Sequence, residues 1–477
     1  MRSQTAFGNE GGLWPRTLDP GTLGPSTMFT FGETTSRTCE GVSRRSLLRF
    51  GASLPFASLL PIGAAAADGP RAKSVMLIWL VGGPSHLDLF DPKPEATADY
   101  RGPFSAIRTR TPGMQFSELL PKLAARSDRM SVVRTNINYN GGHRDAGSIA
   151  WTCGIASDGG EAGGGKPSGY PPNLGSIVSR ARAEGSLPSF ISLARGPVGD
   201  GVGPCLGYGG GVWGQRYDPF MVDCSRDGVV SIPELKLLEG LSPPRLDDRR
   251  LLVDRLDAER KRFDQLPPAA WQGVHRRAFE LLSGGDTLNA FDISQETDET
   301  RARFGRTSFG QSALLGRRLV EAGVPYVQVN WSQYAEVLYP FSDYGWDTHA
   351  DNFGLLADWH GPLLDGVLST LLDDLDERGL LDSTLVVCMG EFGRTPRINS
   401  IGSRDHWHQC YFSVWAGGGV RPGQAIGRSD PRGECPETDP ITPEMVGTTM
   451  LELVGIGTQQ RAELRVLQNG RVIDELV

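Results

Sequence analysis

The segment CMGEFGRTPRINSIGSRDHWHQC, residues 388–410, places Glu391, Asp405, His406, His408 and three arginines directly behind a strongly apolar run. Carboxylates neutralise a divalent cation and neutral imidazoles supply nitrogen donors, so these residue types suit a metal site favouring zinc, manganese or iron over calcium. Similar clusters occur at GGPSHLDLFD (82–91), NGGHRDAG (140–147) and YGWDTHAD (344–351). Six of the seven histidines fall in these clusters, in RDHWH or in the helical stretch just after YGWDTHAD. Candidate ligands are His86, Asp88, Asp347, His349, Glu391 and His406. In WDTH the spacing of Asp347 and His349 puts both side chains on one side of an extended segment, as shared ligation requires. Arg394 and Arg404 suit an anionic substrate, because a guanidinium fork matches phosphate or sulfate oxygens. A divalent metal can acidify water or polarise an ester oxygen, and Asp405 or His408 could move the protons. His360 lies inside a helical pattern and is expected to pack, and His275 to be an ordinary helix residue.

These clusters need a frame. KSVMLIWLVGG (73–83), MSVVRTNI (130–137), LPSFISLA (187–194), PYVQVNW (325–331), STLVVCMG (383–390) and CYFSVWAGG (410–418) read as strands. SFGQSALLGRRLVEAG, a long amphipathic stretch over 351–379 and PEMVGTTMLELVG read as helices, the last started by Thr442-Pro443. Strands alternating with helices predict an α/β fold with a mostly parallel sheet covered on both faces. In such sheets ligands bind beyond the carboxyl ends of the strands. The four clusters follow strand ends, so they are expected to converge on one edge. Between about 155 and 305 the pattern weakens into Gly-rich loops and charged helices, which suggests an insertion or cap. Two motif matches there fail on context. GEAGGGK (160–166) has Pro167 where a phosphate loop needs Ser or Thr. DCSRDGVVSIPE (223–234) has calcium-loop offsets but prolines where the flanking helices should be.

At 477 residues with a net charge of −8 and no basic stripe, the chain is a poor candidate for nucleic-acid binding. SRRSLLRFGASLPFASLLPIGAAAA, with Arg44-Arg45 before a short apolar segment and small residues near Ala66 and Ala67, predicts a twin-arginine export signal. That stretch is too short and too rich in Gly, Ala and Pro to span a bilayer comfortably. The expected organisation is therefore a leader over 1–67 and a single domain over 68–477. The mature protein would be periplasmic or secreted and without a stable membrane span. The cysteines beyond the leader show no CxxC spacing, which disfavours a zinc knuckle.

GGPSHLDLFDPKPEA, GRTSFGQSALLGRRLVEAGVPYVQVNW, WDTHADNF, LLDSTLVVCMGEFGRTPRIN and RDHWHQCYFSVWAGGGV closely resemble the domain-of-unknown-function 1501 family over nearly all of residues 70–477. These are exported bacterial proteins, often labelled sulfatase and placed in the alkaline phosphatase-like superfamily. The resemblance implies a three-layer sandwich with a mostly parallel central sheet. It also implies a metal site acting on phosphate or sulfate esters, with a small-molecule or polysaccharide anionic ester as substrate. Glu391 matches the acid that ends a strand, His406 the late metal-binding histidine, and Ser85, His86 and Asp88 occupy the place of the early aspartate. The Cys- or Ser-x-Pro-x-Arg nucleophile of sulfatases is replaced by HRDAGSIAWTCG, with His143 roughly at its position. His143 is then a ligand, a base or an unusual nucleophile. Alternatively, the fold serves as a non-catalytic scaffold of the cell envelope.

Overall fold

The structure, a computed structural model, describes residues 71–153, 170–182, 185, 187–193, 207–232, 289–331, 345–468 and 470–477. The leader, the phosphate-loop-like stretch at 160–166, Cys205 and His275 lie outside these residues. Thirteen strands are present among the described residues. They are β1 (Ser74–Leu80), β2 (Ala106–Arg108), β3 (Gln115–Ser117), β4 (Met130–Asn136), β5 (Phe190–Leu193), β6 (Phe220–Cys224) and β7 (Val230–Ser231), followed by β8 (Tyr326–Trp331), β9 (Thr384–Met389), β10 (Gly393–Arg394), β11 (His406–Trp407), β12 (Tyr411–Ala416) and β13 (Ala425–Ile426).

Nine of them form one sheet in the order β13-β4-β12-β9-β1-β8-β5-β6-β7. β1 is central, parallel to β8 and to β9, and its register aligns Leu80 with Trp331 and Trp79 with Met389. Their carboxyl ends therefore reach the same level. β12 runs antiparallel to both β9 and β4, so β4 shares the direction of β9 and ends at the same edge. That antiparallel strand is the one departure from an all-parallel centre.

Both faces of β1 are buried, and alternate side chains enter different cores. Met76, Ile78 and Leu80 join one core, and Val75, Leu77, Trp79 and Val81 the other. This is the period of two expected of a strand covered on both sides. Five helices supply the covering layers: α1 (His143–Thr152), α2 (Leu174–Ala181), α3 (Ser308–Glu321), α4 (Gly361–Glu377) and α5 (Pro443–Leu453). Leu314, Leu315 and Leu319 of α3 and Leu364, Leu368 and Leu371 of α4 pack on the first core. Trp151 of α1, Ile177 and Val178 of α2, and Val446 and Met450 of α5 pack on the second. The expected three-layer, mostly parallel α/β sandwich is thus formed.

Some details add to the sequence reading, and one departs from it. Within 155–305, β5 pairs with β8 and β6 with β5, so these described strands extend the central sheet, and most of the expected insertion or cap lies outside the described residues. The apparent single helix over 351–379 is interrupted by a π-helical turn at Leu356–His360 before α4 begins. That inserted turn seats His360 between Trp331 and Trp346, at ring-centroid distances of 5.0 and 4.9 Å. The calcium-loop-like residues Asp223, Ser225 and Asp227 lie in and just after β6, on a hairpin leading to β7, so a strand stands where the entering helix of a calcium loop would be. Among the described residues no helix is long and apolar enough to cross a membrane.

Candidate metal centre

At the carboxyl edge of the sheet, β1 ends in Gly82-Gly83. Gly82 has a φ of +113°, and a Cβ placed on it would lie 2.2 Å from the Asp347 nitrogen. Only glycine lets residues 345–349 cross so closely over the strand end. The Trp346 N–H donates to the Val81 carbonyl at 2.7 Å and fixes that crossing. Asp347 is thereby carried to the top of β1. Glu391, just past β9, accepts the Gly82 N–H on Oε1 at 2.8 Å. His143 is the first residue of α1, after the β4 end and Gly141-Gly142. His406 enters through a two-stranded ribbon in which β10 and β11 pair Arg394 with His406.

These side chains meet. His143 Nε2 lies 3.1 Å from Asp347 Oδ2, and His406 Nε2 lies 3.1 Å from Asp347 Oδ1. His349 Nε2 lies 3.2 Å from the same Oδ1 and 2.8 Å from His406 Nε2. His143, Asp347 and His406 form a group that could hold a metal ion, with one donor atom from each lying within 4.8 Å of the others. The opposite ring nitrogens all point outward to acceptors. His143 Nδ1 donates to Glu391 Oε1 at 2.7 Å, His349 Nδ1 to Asp405 Oδ1 at 2.9 Å, and His406 Nδ1 to the Gly141 carbonyl at 2.8 Å. An ionised carboxylate or a carbonyl offers no proton, so each Nδ1 carries the hydrogen and each neutral ring aims an Nε2 lone pair inward. Such outer acceptors are the usual supports of metal-binding histidines.

Lone pairs facing a carboxylate repel unless a proton or a cation lies between them. The buried His143 Nε2 has no aligned hydrogen bond, although Asp347 Oδ2 is 3.1 Å away. Tetrahedral zinc with bonds near 2.0–2.1 Å spaces its ligand atoms by about 3.3 Å, close to the separations here. The donor set therefore fits a divalent ion.

Without an ion the same geometry attracts protons. Burial opposes charging of His143, but Asp347 and Glu391 outweigh it and push its pKa up to about 9. Burial likewise opposes ionisation of Asp347, yet the three histidines and Arg394 hold its carboxyl far below the usual range. His349 is raised, chiefly by its hydrogen bond to Asp347, whereas burial lowers His406.

Not every expected residue arrives. His86 is wholly buried, its Nε2 donating to the Gly433 carbonyl at 2.8 Å, and burial lowers its pKa to about 4. Asp88 is gripped by Arg404, whose Nε and Nη2 donate to its two oxygens at 2.7 and 3.0 Å. Neither His86 nor Asp88 belongs to the described cluster that could hold a metal. Both follow a strand end, but the turn after β1 directs them into the interior.

The arginines are corrected too. Arg394 is fully buried, donating to the carbonyls of Gly82, Gly83 and Trp346 and to Asp347 Oδ1 at 2.6 Å. It orients Asp347 and is not open to a substrate. Besides Asp88, the fully buried Arg404 serves the carbonyls of Thr395, Pro396 and Tyr100. Glu391 stands behind His143 and Asp405 behind His349. His408 flanks the centre beside Gly141, and its carbonyl accepts the Asn138 N–H at 2.7 Å.

Asn138 went unnoticed in the sequence. It is buried, and its side-chain amide donates to the carbonyls of Ala146 and Glu391 at 3.0 and 2.9 Å while its oxygen accepts the Tyr139 N–H at 2.7 Å. One amide thus ties the β4 end, α1 and the β9 end together. Its position just past a strand end was the only available signal.

A family model described as "Protein of unknown function (DUF1501)" matches residues 72–477. No curated protein matches the chain. Among solved structures the chain is similar to Ps i-CgsB, at 11% identity over 81% of this chain and 72% of that one, with a TM-score of 0.36. It is similar to the lipoteichoic acid synthase LtaP of Listeria monocytogenes at 10% identity, covering 85% and 76%, with a TM-score of 0.35. It is also similar to the PsFucS1 sulfatase of Pseudoalteromonas sp. at 12% identity, covering 85% and 69%, with a TM-score of 0.34. Values this low leave the chemistry to the site's own residues.

Proposed function

The chain belongs to the DUF1501 family, and from that premise we propose that it is an exported, metal-dependent hydrolase of phosphate or sulfate esters. The observation that carries this reading is the convergence of three imidazole Nε2 atoms on the Asp347 carboxylate, each ring tied outward through Nδ1. Two imidazole nitrogens and one carboxylate, with His349 beside them, favour zinc, with manganese next and calcium disfavoured. When bound, such an ion polarises an ester oxygen and acidifies water beside it.

The chain's own residues do the rest. Glu391 holds His143 in the tautomer with Nε2 inward, and Arg394 keeps Asp347 ionised and in register. α1 starts at His143, so the positive end of its dipole lies at the centre, where it favours an anionic group. With Arg394 and Arg404 both enclosed, this helix end takes over the anion-holding part first expected of them. Asp405 accepts the Nδ1 proton of His349 at the solvent side, where a proton can pass to water.

A second reading is favoured by one observation: His349 Nε2 stands beside the three-residue group, 3.2 Å from Asp347 Oδ1, and if it completed a closed tetrahedral set the ion would be structural. The protein would then be a non-catalytic scaffold of the cell envelope. Glu391→Gln separates the two. A hydrolase loses turnover while staying folded, whereas a scaffold loses only stability or nothing. The primary test is a panel of aryl phosphate and aryl sulfate esters assayed on protein of measured metal content. Metal-free protein inert on every ester would end the hydrolase reading. Export is proposed from Arg44-Arg45 and the small residues near Ala66, and N-terminal sequencing of the secreted or periplasmic protein tests it.

A further inference from the structure

The three residues of the group and the neighbouring His349 are not held alike. His143 keeps 9% of its side-chain surface exposed, Asp347 13%, His406 24% and His349 46%. Their outer partners follow the same gradient. Glu391 behind His143 is 3% exposed, whereas Asp405 behind His349 is 52% exposed. Water competes with a hydrogen bond at the second position far more than at the first, so the second contributes little net restraint. The backbone that carries His349 is nevertheless fixed. The Thr348 carbonyl accepts the Ser403 hydroxyl at 2.9 Å, and the Thr348 hydroxyl donates to Asn352 Oδ1 at 2.5 Å. Freedom is therefore confined to the His349 side chain, and its rotation leaves Asp347 where it is.

We infer that His349 is the exchangeable donor of this centre, yielding its place to an oxygen of an anionic ester while His143, Asp347 and His406 hold the ion throughout. The inference rests on the metal reading above and deepens it. One nitrogen donor leaves and one oxygen donor enters. No covalent bond breaks, and the Nδ1 proton stays on the ring facing Asp405. Three permanent protein ligands with one replaceable position is the arrangement of catalytic zinc, whereas a fixed fourth ligand makes a structural site. The exposure gradient thus favours the catalytic arrangement.

The test uses the full chain loaded with Co2+, whose visible absorption reports its donor set, and inorganic phosphate as the probe. His349→Ala is expected to retain bound Co2+ at concentrations where His143→Ala and His406→Ala have lost it. Phosphate added to the wild type should move its spectrum to that of His349→Ala with phosphate. Because His349 is half exposed, both His349→Ala and His349→Asn should fold, as thermal melts will show. Loss of Co2+ from His349→Ala as complete as from His406→Ala, or a wild-type spectrum indifferent to phosphate, overturns the inference while leaving the metal site standing. A wild type that binds no Co2+ overturns the metal reading and this inference together.

Discussion

Asp88 shares with Asp347 the chemistry of a ligand, yet its neighbours give it another task. Arg404 donates to both its oxygens, with neither side chain exposed. Removing one member of such a buried pair costs roughly 3–5 kcal/mol, because the other charge is left without a counterpart. Asp88→Ala should therefore lower stability by that amount in denaturant titrations while the bound metal stays at the wild-type stoichiometry. Unchanged stability with loss of metal would restore Asp88 as a ligand. Asn138→Ala removes the donor to the Glu391 carbonyl and should cost about 1–3 kcal/mol if that buried group is left unsatisfied, visible as a lowered melting temperature. At this scale the sequence disclosed residue types but not partners. The meeting of Asp347, His349 and His406 was legible because WDTH and RDHWH flank predicted strands. His86 and Asp88 were misread because spacing from a strand end does not tell which way a turn folds back. Arg394 and Arg404 were misread because nothing local reveals the carbonyls and carboxylates that enclose them.

The strands were the most readable elements. β1 and β9 are largely apolar on both faces, and a short run of that kind, bounded by turn signals and set between helical patterns, is the signature of a buried parallel strand. The direction of β12 was not readable, since periodicity carries no sign. Nor was the β10–β11 ribbon, which is two residues long on each side and exists through tertiary pairing. The π turn at 356–360 was hidden for a similar reason, because one extra residue barely disturbs a helical pattern. The glycine at the end of β1 is where element and site meet. Gly82→Ala would combine a disfavoured φ with a collision against the backbone of residues 346 and 347. The expected result is a displaced Asp347 segment, a stability loss of at least about 1–3 kcal/mol and a strong loss of metal affinity. An alanine variant with wild-type metal binding would show that the crossing over β1 does not position Asp347.

Across the whole molecule, the two layers bury histidines as well as apolar groups. Burial lowers the pKa of His86 to about 4, against a smaller opposing contribution from Gly433, and that of His360 to about 3. The unfolded chain takes up these protons near pH 6.5 while the native protein refuses them, so stability is full above that pH and falls as pH drops toward 4. Each residue contributes up to about 3 kcal/mol to that loss. Melting curves from pH 7 to 4.5 should show the decline, and His86→Gln should make it shallower. An undiminished slope in that variant would mean that His86 does not stay neutral in the folded protein. Length and alternation were enough to foresee one α/β sandwich with its chemistry on one edge, but not how its residues divide between holding the fold and holding an ion. Anomalous X-ray scattering at the zinc edge, from crystals of the full chain grown with zinc, addresses that division most directly. The expected result is a single peak about 2.0–2.2 Å from His143 Nε2, His406 Nε2 and an Asp347 oxygen. Absence of a peak there, or a peak beside His86 and Asp88 instead, would contradict the account.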